Sequence, residues 1–154
     1  MTAFELASRY LGLRELNGSR HQPFIQWCLS LCGLDPETPD EVPWCSAFCQ
    51  HPAFELSLPR SHSAAARSWL AVGTPISLLY AEPAYDIVIL TRGPLPQPGP
   101  EVTSGAPGHV GWFAGRDGDE VLVLGGNQRN AVSVEAFAAS RILGLRRLKA
   151  REEW

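Results

Sequence analysis

His109-Val110-Gly111-Trp112-Phe113-Ala114, then Gly115-Arg116-Asp117-Gly118-Asp119, then Glu120-Val121-Leu122-Val123-Leu124 follow one another without a break. Two runs dominated by aliphatic and aromatic residues flank a short segment of glycine and aspartate. That pattern predicts two strands joined by a tight turn, so this half of the chain reads as an antiparallel sheet. Upstream, Asp86-Ile87-Val88-Ile89-Leu90-Thr91 is rich in β-branched residues and adds a buried strand. Downstream, residues 134–139 are expected to form one helical turn and residues 141–149 a final strand.

The N-terminal part carries a different period. Residues 3–13 set apolar side chains at helical spacing, with Gly12 as the stop. Residues 22–32 place Phe24, Ile25, Cys28, Leu29 and Cys32 on one side of a second helix. The proline- and acid-rich stretch 35–43 reads as loop. Trp44-Cys45-Ser46-Ala47-Phe48-Cys49-Gln50 opens a third helix, which Pro52 is expected to interrupt after about two turns. Residues 64–70 form a short fourth. Helices first and an antiparallel sheet second define an α+β chain. Residues 93–108, dense in proline and glycine, read as a long mobile loop within a single domain over 1–154, because too few residues follow them to build a second core.

Composition excludes several functions. The net charge of −3 and pI near 5.8 give no basic footprint for nucleic acid. Arg141, Arg146, Arg147, Lys149 and Arg151 cluster near the end; a solvated strand edge and tail is the ordinary reading, and contact with anionic wall or membrane polymers the alternative. No run approaches the ~18 apolar residues of a membrane span. Residues 1–7 lack a basic leader followed by an apolar core, so the expectation is synthesis in the cytoplasm without a secretory signal, with action on the cell wall or periplasm after release by another agent. A monomer is expected. The four cysteines, Cys28, Cys32, Cys45 and Cys49, do not suggest a disulfide framework without a secretory context. Their i, i+4 spacing lacks the tighter knuckles of zinc sites. Cys28, Cys32 and Cys49 are therefore expected to act as small buried hydrophobes. Asp117 and Asp119 read as turn residues rather than a calcium loop. No metal or cofactor is expected.

The chemistry centres on Pro43-Trp44-Cys45-Ser46-Ala47-Phe48. A cysteine where loop becomes helix meets unpaired N–H groups and the positive end of the helix dipole, which favour a thiolate. The same groups can hold an oxyanion. Asp40 and Glu41 act the other way, since negative charge raises a thiol pKa. His109 is the best base: it opens a strand between glycines, whereas His21, His51 and His62 lie in helix or loop stretches. A third group usually orients such an imidazole through its other nitrogen. In Leu124-Gly125-Gly126-Asn127-Gln128, Asn127 can lie beside His109, and Gln128 is the fallback. Trp44, Ser46, Trp69 and Gln128 are the candidate substrate-binding residues, with core packing the alternative for both tryptophans. Asp86 is a strand-end cap or, in the alternative, a contact for a substrate amine.

Four motifs occur in order: Pro43-Trp44-Cys45-Ser46-Ala47-Phe48, Ala66-Arg67-Ser68-Trp69-Leu70, Gly108-His109-Val110-Gly111-Trp112-Phe113 and Leu124-Gly125-Gly126-Asn127-Gln128. With the earlier Glu15-Leu16-Asn17-Gly18, they resemble a phage-associated group of small lysins (endolysins) within the CHAP and NlpC-type cysteine peptidase superfamily, over about residues 3–148. The resemblance implies a papain-like α+β fold in which N-terminal helices pack on an antiparallel sheet. It also implies cleavage of bacterial peptidoglycan, as an N-acetylmuramoyl-L-alanine amidase or a peptide endopeptidase. By position, Cys45 is then the nucleophile, His109 the base and Asn127 the orienting residue. Two departures, Tyr85 ahead of Asp86 and the Cys49 to Arg60 stretch, touch the walls of the cleft. A secreted antibacterial amidase toxin of the same fold, or a non-catalytic wall-binding or phage structural module, are the alternatives.

Overall fold

The strand Asp86–Thr91 alternates between two apolar layers: Ile87 and Ile89 pack with the helices, Val88 and Leu90 with a second cluster on the other side. The computed structural model describes residues 1–16, 19–40 and 42–149. Its helices are α1 (Ala3–Ser8), α2 (Pro23–Ser30) and α3 (Cys45–Glu55). The strands are β1 (Thr74–Ile76), β2 (Asp86–Thr91), β3 (Gly108–Asp117), β4 (Glu120–Gln128), β5 (Ala131–Ala138) and β6 (Ile142–Arg147). Short 3-10 turns occupy Ala66–Ala71, Leu78–Tyr80 and Ala139–Arg141. Glu41, Asn17, Gly18 and Arg151, which entered the reading of the sequence, lie outside the described residues.

Among the described residues the strands form one antiparallel sheet in the order β1-β6-β2-β3-β4-β5. The β3–β4 hairpin turns at Gly118-Asp119, where Gly118 has φ +57°, a conformation that costs glycine little. Gly115 is a bulge within β3 rather than part of the turn, marked by the register shift between Phe113 and Gly115. Helices α1 and α3 and the Ala66–Ala71 turn cover one face of the sheet, with Ile25, Phe48, Trp69, Val110, Trp112 and Leu124 fully buried between them. Thr2 starts α1 with a capping box, its hydroxyl accepting the Glu5 N–H while the Glu5 carboxylate accepts the Thr2 N–H. Among the described residues no helix is long and apolar enough to cross a membrane.

Four expectations change. Residues 131–138 form strand β5, not a helical turn. Arg129 and Asn130 both have positive φ (55° and 61°) between the paired Gln128 and Ala131, a two-residue hairpin turn that lays β5 back on β4. Helix α3 continues through Pro52 to Glu55; proline forfeits only its own N–H bond, while the Leu56 N–H still reaches the Pro52 carbonyl and Ala53 is fully buried. The short strand β1 was not foreseen; its three residues carry no period of their own. Finally, the loop over 93–108 is tied down. The fully buried Arg67 donates Nε to Pro107 O, Nη1 to Gly99 O and Val102 O, and Nη2 to Pro98 O.

Candidate active site

Cys45 is the first residue of α3, and Trp44 at the cap position offers no side-chain acceptor, so the first-turn N–H groups are left for another partner. The helix start meets the sheet where β3 and β4 part: their ladder runs from Asp117↔Glu120 only as far as Trp112↔Leu124. Burial pushes the Cys45 thiol up; the Val110 N–H, the Arg92 charge and the N–H groups of Ser46 and Cys45 oppose it without cancelling it. Desolvation thus outweighs the helix-start groups that favour a thiolate.

Asp40 takes no part in this balance. Its fully buried carboxylate accepts the N–H groups of Leu16 and Gln22 and pairs with His21 Nδ1. Burial would raise its pKa, but those partners together hold it below the ordinary value. Asp40 fastens the segment before α2 instead of tuning the Cys45 thiol.

His109, next to Val110 on β3, is 6% exposed, and its Nε2 lies 2.9 Å from Gln128 Oε1. The Gln128 amide is fixed the right way round, because its Nε2 donates to the carbonyls of Val123 (3.2 Å) and Ser133 (2.8 Å). Oε1 can only accept, so the neutral imidazole carries its proton on Nε2 and keeps a free lone pair on Nδ1. Burial lowers the His109 pKa; the Gln128 bond opposes this and the Arg92 and Arg141 charges add to it. The Gln128 acceptor thus gives the neutral His109 imidazole a defined tautomer.

Asn127, expected in the orienting role, does not hold it. Gly125 faces His109: a Cβ built there would lie 3.4 Å from His109 Nε2. Regular alternation would put Asn127 on the same face. A register shift between Gly125 and Gln128, with Asn127 at φ +58°, breaks the alternation and brings Gln128 there instead.

Three residues assigned to the substrate groove are core side chains. Trp44 is fully buried, donates Nε1 to Glu15 Oε1 at 2.8 Å and lies on Gly126 so closely that a Cβ there would come within 2.5 Å of the ring. Ser46 donates to Ser63 O and accepts Trp69 Nε1, and both Ser46 and Trp69 are fully buried. They brace α3 against the Ala66–Ala71 turn and cannot reach a ligand. Asp86 holds Arg147 in a two-pronged ion pair at 2.8 and 2.9 Å and accepts the Glu82 N–H, so it caps a strand end. Cys28 and Cys49 are buried and Cys32 half-buried, all with thiols pushed up first by burial. Among the described residues no group of three or more His, Cys, Asp or Glu could hold a metal ion.

The sequence reading missed Arg92 and named Arg141 only as part of a basic cluster near the end of the chain. With His109, Gln128, Asn127, Arg129, Glu135 and Phe137 they line an open pocket of about 330 Å³. Arg92 lies two residues beyond Leu90, which pairs with His109 across β2 and β3. Its nearness to the imidazole depends on that register and has no signal in local sequence.

No family model matches the chain, and no curated protein matches it in sequence. Among solved structures it is similar to NlpC1 from Trichomonas vaginalis, with a TM-score of 0.56 and 16% identity, over 97% of this chain and 44% of that one. This chain therefore spans less than half the length of that neighbour, and at such identity the likeness concerns the fold. Helices on one face of an antiparallel sheet, with the cysteine helix seated against the histidine strand, give the chain an α+β, NlpC-like, papain-like architecture.

Proposed function

We propose that this chain is a cysteine-dependent hydrolase that cleaves an amide bond in bacterial cell-wall peptide. Cys45 is the nucleophile, His109 the general base and Gln128 the residue that positions the imidazole. The observation that carries this reading is the His109–Gln128 bond, which leaves Nδ1 of His109 without its proton on the strand against which the Cys45 helix packs. The NlpC-like fold supports thiol chemistry, and the ordered motifs of the sequence support peptidoglycan as the substrate.

The steps follow from the resting protonation states. Nδ1 of His109 takes the Cys45 proton as the sulfur bonds to the amide carbonyl carbon. N–H groups at the start of α3 stabilise the developing oxyanion. The C–N bond breaks, the imidazolium protonates the leaving amine, and a thioester remains. Water, losing its proton to His109, then releases the acid and restores the thiol.

Digestion of purified peptidoglycan, followed by mass spectrometry of the fragments, tests the proposal. The native protein should release fragments bearing new amino groups at one type of bond, and a folded Cys45→Ala protein should release none. Cleavage that survives Cys45→Ala, or no cleavage by the native protein on any wall type, would overturn it.

A further inference from the structure

The pocket beside His109 is lined by three arginines, Arg92, Arg129 and Arg141, and one carboxylate, Glu135. Glu135 accepts the Ser133 hydroxyl at 3.2 Å and lies 3.8 Å from the exposed Arg129, an ion pair worth little. The other two guanidiniums therefore face the pocket without a compensating acid. Arg141 is held in place: it donates Nη2 to Thr91 O at 2.6 Å and lies 5.2 Å above the Phe137 ring. Phe137 in turn packs against the His109 ring at 5.3 Å. Arg92, exposed on the strand end next to them, makes no hydrogen bond or ion pair with any described residue. Its charge acts on both reacting groups, lowering the pKa of Cys45 and of His109.

From this geometry we infer that Arg92 and Arg141 bind a free carboxylate of the substrate next to the scissile amide, so the preferred substrate is an acidic peptide and its amidated form is a poor one. This rests on the hydrolase reading above and specifies its substrate. A guanidinium matches a carboxylate with two parallel hydrogen bonds. A pocket in which Arg141 is held in place and Arg92 has no partner among the described residues suits such a group and offers a neutral amide nothing in exchange. Because His109 lines the same pocket, an anchored carboxylate places the neighbouring amide at the base.

The test uses the full chain carrying Cys45→Ala, which binds without turnover. Calorimetric titration compares the stem peptide L-Ala-γ-D-Glu-L-Lys with free carboxylates and the same peptide with every carboxylate amidated. The free acid should bind about tenfold tighter or more. Arg92→Gln should remove most of that preference, and Arg92→Lys should restore part of it. Equal binding of the two peptides, binding of neither, or a preference untouched by Arg92→Gln would overturn the inference. The two proposals fail separately. Equal cleavage of both peptides by the native protein leaves the hydrolase reading standing and removes the carboxylate site; selective binding of the acid without any cleavage does the reverse.

Discussion

Replacing Gln128 with leucine takes away the acceptor of the His109 Nε2–H while keeping a side chain of similar size. The lost bond is 2.9 Å long and both partners are buried. A neutral hydrogen bond contributes about 0.5–1.5 kcal/mol and one to a charged group roughly 1.5–3 kcal/mol. The imidazole is neutral before reaction and cationic once it holds the Cys45 proton, so about 1–2 kcal/mol of the loss falls on the transition state alone. Without the acceptor, the tautomer with its proton on Nδ1 also becomes populated, and that form cannot serve as the base. Together these effects should lower kcat about 10–100-fold, at 1.36 kcal/mol per tenfold, with KM little changed. The Gln128 amide also serves Val123 O and Ser133 O. Stability should therefore fall by roughly 1–3 kcal/mol, so rates must be read well below the melting temperature. Kinetics on a soluble stem peptide measures the rate, and imidazole ¹⁵N chemical shifts report the tautomer. Asn127→Ala, which leaves the His109 bond intact, should stay within about threefold of wild type. A Gln128→Leu protein with the native tautomer and rate, beside an inactive Asn127→Ala, would refute the reasoning.

Arg67→Met removes the cation that collects the carbonyls of Pro98, Gly99, Val102 and Pro107; limited proteolysis should then cut within residues 93–108, where the native protein resists. Gly126→Ala would set a methyl within 2.5–2.8 Å of the Trp44 ring and Phe48 Cβ, so urea denaturation should show a loss of about 1–3 kcal/mol. Burial lowers the pKa of His109 and of His51 below 6.5, so between those lowered values and 6.5 the unfolded chain binds more protons than the folded one. Stability should accordingly rise with pH through that window and be lost as pH falls through it, as urea midpoints taken from about pH 7.5 to about pH 4.5 would show. With the neutral imidazole as the proposed base, the acid limb of kcat/KM should likewise lie below 6.5.

Local pattern alone was enough for the elements that present Cys45 and His109. The β3–β4 hairpin, strand β2 and the start of α3 at Cys45 each follow from a period, a turn or a helix start written within about ten residues. Residues 131–138 went astray because Ala131-Val132-Ser133-Val134-Glu135-Ala136-Phe137-Ala138 mixes helix-favouring alanines with strand alternation. Their pairing with β4 through the Arg129-Asn130 turn decided the matter.

Sequence by itself determined the α+β order and singled out Cys45 and His109, since a helix start and a strand start are local features. Tertiary structure alone decided which side chains meet. A bulge at Asn127 turned Gln128 toward His109; close packing drew Trp44, Ser46 and Trp69 into the core; and the pairing of Leu90 with His109 brought Arg92 to the pocket. The reason is that strand facing has a period of two, so a single bulged residue reverses it, and no local propensity records where that residue falls.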